Sequence, residues 1–162
     1  MSTNPLGRKA VECALRSVGV HEEGGDNHGK YVAQYLESVD LPEGNPWCAA
    51  FVFYKVRQAA EELGVDFSLR KTGSVQKMVD WAKENATLRR DPEVGNAIAI
   101  FFPKLNRYAH IGLITKVEKG PKFTTVETVE GNSNNDGSRN GNAVVKRRRK
   151  WNLTLMRAIE IK

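Results

Sequence analysis

The chain has 162 residues, of which 40% are hydrophobic and 27% charged, a folded-domain composition that excludes a largely disordered chain. Its longest apolar run, Trp47 to Tyr54, falls far short of the ~20 residues a membrane-spanning helix needs, and its two cysteines, Cys13 and Cys48, are too few for a disulfide scaffold or a cysteine-rich zinc site. The net charge is +6, but the first 81 residues carry 9 basic against 11 acidic groups and the remainder 16 against 8, so the second half favours a polyanionic partner: nucleic acid, anionic lipid or an acidic wall polymer.

In chain order, the first half reads as helices. Asn4-Pro5 is a cap followed by proline at the first helical position, and Ala10, Val11, Ala14, Leu15 and Val18 recur at helical spacing until Gly19. After a glycine-rich stretch from Glu22 to Gly29, Tyr31, Val32, Tyr35, Leu36 and Val39 predict a second helix. A loop from Asp40 to Trp47 precedes a third, Cys48 to Leu63, with Phe51, Val52, Val56, Ala59 and Leu63 on one face; Ser74 to Glu84 predicts a fourth. Beyond Pro92, strands are predicted at Asn96 to Phe102, Tyr108 to Val117, Phe123 to Glu130, Ala143 to Lys150 and Leu153 to Ile161, with a polar loop from Asn132 to Asn142. Helices first and strands second predict an α+β fold, with the helices packed on one antiparallel sheet. No linker divides the chain, which predicts a single domain over residues 1–162.

The segment Asn45-Pro46-Trp47-Cys48-Ala49-Ala50-Phe51-Val52 carries the chemistry. Pro46 biases Asn45 away from helix, so the third helix starts near Cys48. A thiol there meets the positive end of the helix dipole and the unpaired first-turn N–H groups, which favour the thiolate and can form an oxyanion hole. The plainer reading of Cys48 is a small buried hydrophobe, as it is for Cys13 in mid-helix. A nucleophilic cysteine needs a base. His21 and His28 lie in the polar glycine-rich stretch, whereas His110 lies in Tyr108-Ala109-His110-Ile111-Gly112-Leu113-Ile114, where Gly112 leaves room for a neighbouring chain. Glu127, Glu130 and Asn132, on or just after the next strand, are the candidates to orient its imidazole.

The order of Trp47-Cys48-Ala49-Ala50-Phe51-Val52, a strand from Gly95 to Phe102, His110-Ile111-Gly112-Leu113-Ile114 and Val129-Glu130-Gly131-Asn132 resembles the CHAP family, the cysteine, histidine-dependent amidohydrolases and peptidases. Val18-Gly19-Val20-x-Glu22, Asn27-x-Gly29 and Tyr35-Leu36 also resemble the segment before the cysteine in bacterial and phage members. The chain departs from the usual pattern at Asn96, where aspartate is common, and at Ala109, where glycine is common. The resemblance implies a papain-like α+β fold and a peptidoglycan hydrolase that cuts an amide bond as an endopeptidase or an N-acetylmuramoyl-L-alanine amidase. It places the nucleophile at Cys48, the base at His110 and the orienting pair at Glu130 and Asn132. Trp47, Asn27 and Tyr108 are the candidate substrate-binding residues, although core packing is the default for Trp47, as for Trp81 and Trp151. The chemistry needs no cofactor and no metal. A weaker reading gives the oxygen donors at Glu22, Glu23, Asp26 and Asn27, and those from Asn134 to Asn142, to calcium.

Five consecutive basic residues, Lys146 to Lys150, read as a solvated edge strand attracted to the wall. Two rival readings are a non-catalytic wall-binding module and a basic nucleic-acid-binding protein, the latter without a recognisable nucleic-acid motif. A monomer acting on peptidoglycan is expected. The N-terminus shows no apolar signal core, so the expected routes to the wall are holin-dependent release, as for a phage lysin, or injection as a secretion-system effector with an immunity protein as partner.

Overall fold

The helix that starts at Cys48 is fixed at both ends by backbone chemistry. Pro46 lies two residues ahead of it, and Gly64 closes it in the left-handed region at φ 67°. In the computed structural model, which describes residues 4–133 and 141–162, four helices precede a six-stranded sheet. The helices are α1 (Pro5–Leu15), α2 (Lys30–Glu37), α3 (Cys48–Leu63) and α4 (Val75–Glu84). Asn4 caps α1 by accepting the Gly7 N–H at 3.0 Å, and Ser74 caps α4 by accepting that of Lys77 at 3.2 Å. No described helix is long and apolar enough to cross a membrane.

The strands are β1 (Leu88–Arg89), β2 (Ala97–Phe102), β3 (Arg107–Lys119), β4 (Thr124–Ser133), β5 (Ala143–Lys150) and β6 (Met156–Ile159), in the spatial order β1-β6-β2-β3-β4-β5 with every pair antiparallel. This is the expected α+β arrangement of helices first and antiparallel sheet second, consistent with a papain-like fold. Alternation along the strands splits the apolar residues between two clusters. Ala97, Ala99, Ile111, Leu113, Val129 and Ile159 join the helices in the main core, while Ile98, Ile100, Ile114, Val126, Met156 and Ala158 form a second cluster.

Three boundaries differ from expectation. α1 ends at Leu15, four residues before Gly19, and β6 is a four-residue strand. β4 continues through Asn132 to Ser133, where a loop was expected, because a register shift between Glu130 and Ser133 absorbs Asn132 at φ 54°. The rest of that expected loop, residues 134–140, lies outside the described residues.

Candidate active site

The start of α3 is wedged in place by aromatic packing. Trp47 is fully buried, its ring 5.8 Å from that of Tyr35 and edge-on to Phe51, while its indole N–H donates to Glu22 Oε1 at 2.9 Å. Trp47 therefore takes its default reading and packs in the core, its apolar body sandwiched and its single donor spent on Glu22. Gly131 lets β4 approach the same wedge, since a Cβ there would stand 2.8 Å from both Phe51 and Trp47 side-chain atoms. The first intrahelical bond runs from Phe51 N–H to the Trp47 carbonyl, so the amides before it point out of the helix beside the thiol. Cys48 is 5% exposed and borders a cleft of about 200 Å³ walled by Asn45, Pro46, Ser74, Arg107 and Ala109.

β3 and β4 bring an imidazole and a carboxylate to this helix end. His110 Nε2 lies 2.7 Å from Glu130 Oε1, with both residues buried. The pairing depends on Gly112, because a Cβ at that position would fall 2.5 Å from the Glu130 side chain. With Nε2 committed to Glu130, the other ring nitrogen, Nδ1, is buried without a hydrogen bond of regular geometry among the described residues, and Cys48 is one of the groups that raise the ring's pKa. Glu130 is saturated: Oε1 also accepts from Arg149 Nη2 at 2.7 Å, and Oε2 accepts from Arg149 Nε at 2.7 Å and from the Thr128 hydroxyl at 2.6 Å.

Electrostatics follow from this wiring. Burial opposes a charged imidazole, but hydrogen bonding with Cys48 and Glu130, together with the negative charge of each, outweighs it and raises the His110 pKa to about 9. Burial also opposes the Glu130 carboxylate. The Arg149 hydrogen bonds, followed by those of His110 and by both positive charges, overcome it and hold Glu130 well below the usual carboxylate range. The arrangement is a buried row, Cys48, His110, Glu130, Arg149, in which an imidazolium stands next to a thiol.

The other expected site residues fall differently. Asn132 is buried but makes no hydrogen bond to His110, and its Oδ1 has no partner among the described residues; Glu130 occupies the place at the ring. Glu127 pairs across the sheet with Lys116 and Arg148, away from His110. Asn27 is half-buried at φ 61° and donates to the Gly44 carbonyl at 3.4 Å, tying two loops together rather than lining the cleft. Tyr108 packs edge-on against Phe101, and the cleft takes Arg107 and Ala109 from β3. His21 is exposed and His28 half-buried in the glycine-rich loop. Cys13 is buried and donates to Glu62 Oε2 at 2.7 Å; burial first, then Glu62, pushes its pKa up to about 11.

Arg149 is the site residue that sequence reasoning missed. The basic run was read as a solvated edge, and Lys146, Arg148 and Lys150 are indeed exposed, but Arg147 and Arg149 alternate to the other face. Alternation was the available signal; what it lacked was the register that sets Arg149 opposite Val126, on the face shared by Thr128 and Glu130.

Among the described residues no three His, Cys, Asp or Glu side chains gather into a group that could hold a metal ion. The second oxygen-rich stretch considered for calcium lies largely outside the described residues. A family model described as CHAP domain matches residues 40–132, more than half the chain. That segment contains Cys48, His110, Glu130 and Asn132 and ends before Arg149. No curated protein and no solved structure matches the chain.

Proposed function

The chain belongs to the CHAP family, whose members are in general cysteine- and histidine-dependent amidohydrolases, and on that premise we propose that it cleaves an amide bond in or next to the peptidoglycan stem peptide through an acyl-enzyme on Cys48. The observation that carries this reading is the buried His110, held by Glu130 at 2.7 Å and biased toward its charged form beside Cys48. An imidazolium next to a thiol stabilises the thiolate, the species that attacks.

Cys48 Sγ adds to the scissile carbonyl carbon, and the carbonyl electron pair moves to oxygen, where the outward amides at the start of α3 face the developing charge. Collapse of this adduct breaks the C–N bond as His110 hands its proton to the leaving amine. Water then adds to the thioester and gives a proton to His110. Cys48 leaves, and a carboxylate product is released. Arg107, at the wall of the cleft, offers a cation to the carboxylates of a stem peptide. The cationic second half of the chain supports an acidic wall polymer as the larger target. Delivery by holin-dependent release, or by injection with an immunity protein as partner, belongs to the same proposal.

Purified sacculi of several wall types, incubated with the protein, should release new amino termini, and mass spectrometry of the fragments then identifies the bond cut. Cys48→Ala should release none. Absence of release by the unaltered protein from every wall type would overturn the reading.

A further inference from the structure

We propose that Arg149 is a positioning residue of the hydrolytic site, fixing the Glu130 carboxylate in the orientation and ionised state that hold His110. The proposal rests on the reading above, in which His110 serves Cys48, and extends it to a strand beyond the segment that matches the family model.

The geometry is that of a lock. Arg149 presents two adjacent donors, Nε and Nη2, one to each oxygen of Glu130 and both at 2.7 Å. A planar guanidinium that meets both oxygens of a carboxylate fixes the plane of that carboxylate as well as its distance. Thr128 takes a further site on Oε2, leaving Oε1 shared between Arg149 and His110. The direction in which Oε1 points, and hence the plane of the imidazole, follows from where Arg149 holds the group. Arg149 itself is only 16% exposed, and Glu130 is fully buried.

Charge assigns Arg149 the same role. A buried carboxylate with an imidazole as its sole partner can accept the imidazole proton and leave two neutral groups. Arginine does not give up its proton in a protein, so a guanidinium on the far side keeps the carboxylate negative and leaves the proton on His110. Arg149 is the first of the partners that keep Glu130 ionised, whereas the groups that raise His110 are Cys48 and Glu130. Arg149 thus acts on the ring through the carboxylate. A residue that merely stapled β5 to β4 would influence stability and leave the titration of His110 alone.

The test reads Cys48 alkylation by iodoacetamide against pH, with peptide mapping to separate it from Cys13, alongside NMR titration of His110. It compares the unaltered protein with Arg149→Met, Arg149→Lys and, as a control on β6, Arg157→Met. In Arg149→Met, alkylation of Cys48 at pH 6 should fall by about tenfold or more, with its acid limb moved upward and the His110 pKa lowered. Arg149→Lys, which keeps the charge without the fork, should fall between, and Arg157→Met should match the unaltered protein. A folded Arg149→Met with an unshifted alkylation profile and unshifted His110 overturns the proposal. If Arg149→Met does not fold, an unshifted Arg149→Lys overturns it instead. Ordinary Cys48 reactivity in the unaltered protein would count against the proposed function, while the His110 titration would still decide the role of Arg149.

Discussion

At its N-terminal end α3 begins with Cys48; near its C-terminal end Glu62 accepts the thiol proton of Cys13 across the contact with α1. Both thiols are buried, and each belongs to a group containing one glutamate and one arginine. Glu62 binds Arg16 at 3.0 and 3.2 Å, and Glu130 binds Arg149 twice at 2.7 Å. The parts are alike, but their order differs. At Cys13 burial first, and then a carboxylate that touches the thiol directly and turns negative charge toward sulfur, keep the proton on, with a pKa pushed up to about 11. At Cys48 an imidazole stands between, and the carboxylate's charge is converted into a positive ring beside sulfur. The helix adds to the contrast, since its positive end lies at Cys48 and its negative end near Cys13. A cysteine's surroundings are therefore read from which group is adjacent to sulfur rather than from which groups are nearby.

The largest effects should come from breaking the Cys48 end. Cys48→Ala and His110→Ala should each lower hydrolysis of wall fragments on the order of a thousand-fold or more, because nucleophile and proton carrier act as a unit. Cys13→Ala should keep the rate and cost roughly 1 kcal/mol of stability, measured by denaturant unfolding. Retention of half the activity by Cys48→Ala would remove it as nucleophile.

Next comes the carboxylate that distinguishes the two ends. Glu130→Gln should lower turnover by about 10²–10⁴-fold. With less negative charge at the ring, the basic limb of the pH–rate profile, expected near the His110 pKa of about 9, should move down. Glu127→Gln should stay close to the unaltered protein, and Asn132→Ala should be milder than Glu130→Gln, because only Glu130 reaches the ring. If Glu127→Gln proves the severe change, the register of β3 against β4 is not the one described.

The same contrast shows what the sequence discloses and what it withholds. Cys48 was legible because Pro46 sets the start of α3 locally, and His110 because Gly112 marks a close approach that Glu130 then makes. The choice between Glu127 and Glu130 was open on parity alone. It is decided by the register of two strands and by an irregularity between Ile114 and Lys116, a long-range outcome that no local pattern encodes. For Trp47 the default of core packing pointed the right way, but the partners that bury it, Tyr35 and Phe51, are set by packing between elements rather than by local pattern. β1 escaped notice since two residues, Leu88 and Arg89, leave no periodicity to read. Arg149 was hidden in a run of like charges, where only pairing with β4 separates the inward arginine from its exposed neighbours.

The smallest effect concerns the quiet end of α3 and separates the two causes that silence Cys13. Burial is the larger cause, and Glu62, through the hydrogen bond it accepts from the thiol and through its negative charge, the second. Glu62→Gln removes the negative charge but keeps an amide oxygen able to accept the thiol hydrogen bond, so the lesser cause is relieved only in its charge. The Cys13 pKa should then fall below about 11 and remain above that of an exposed thiol. Arg16, left without its carboxylate, pushes in the same direction, since a positive charge nearby favours the thiolate. In a Cys48→Ala background, where Cys13 is the sole thiol, alkylation at pH 9 should rise by about tenfold at most, as a pKa change of roughly one unit allows. No rise would show that burial alone silences Cys13. Reactivity at pH 6 equal to that of Cys48 in the unaltered protein would break the comparison itself, because it would mean that neither the helix end nor the interposed imidazole is needed to activate a buried thiol in this fold.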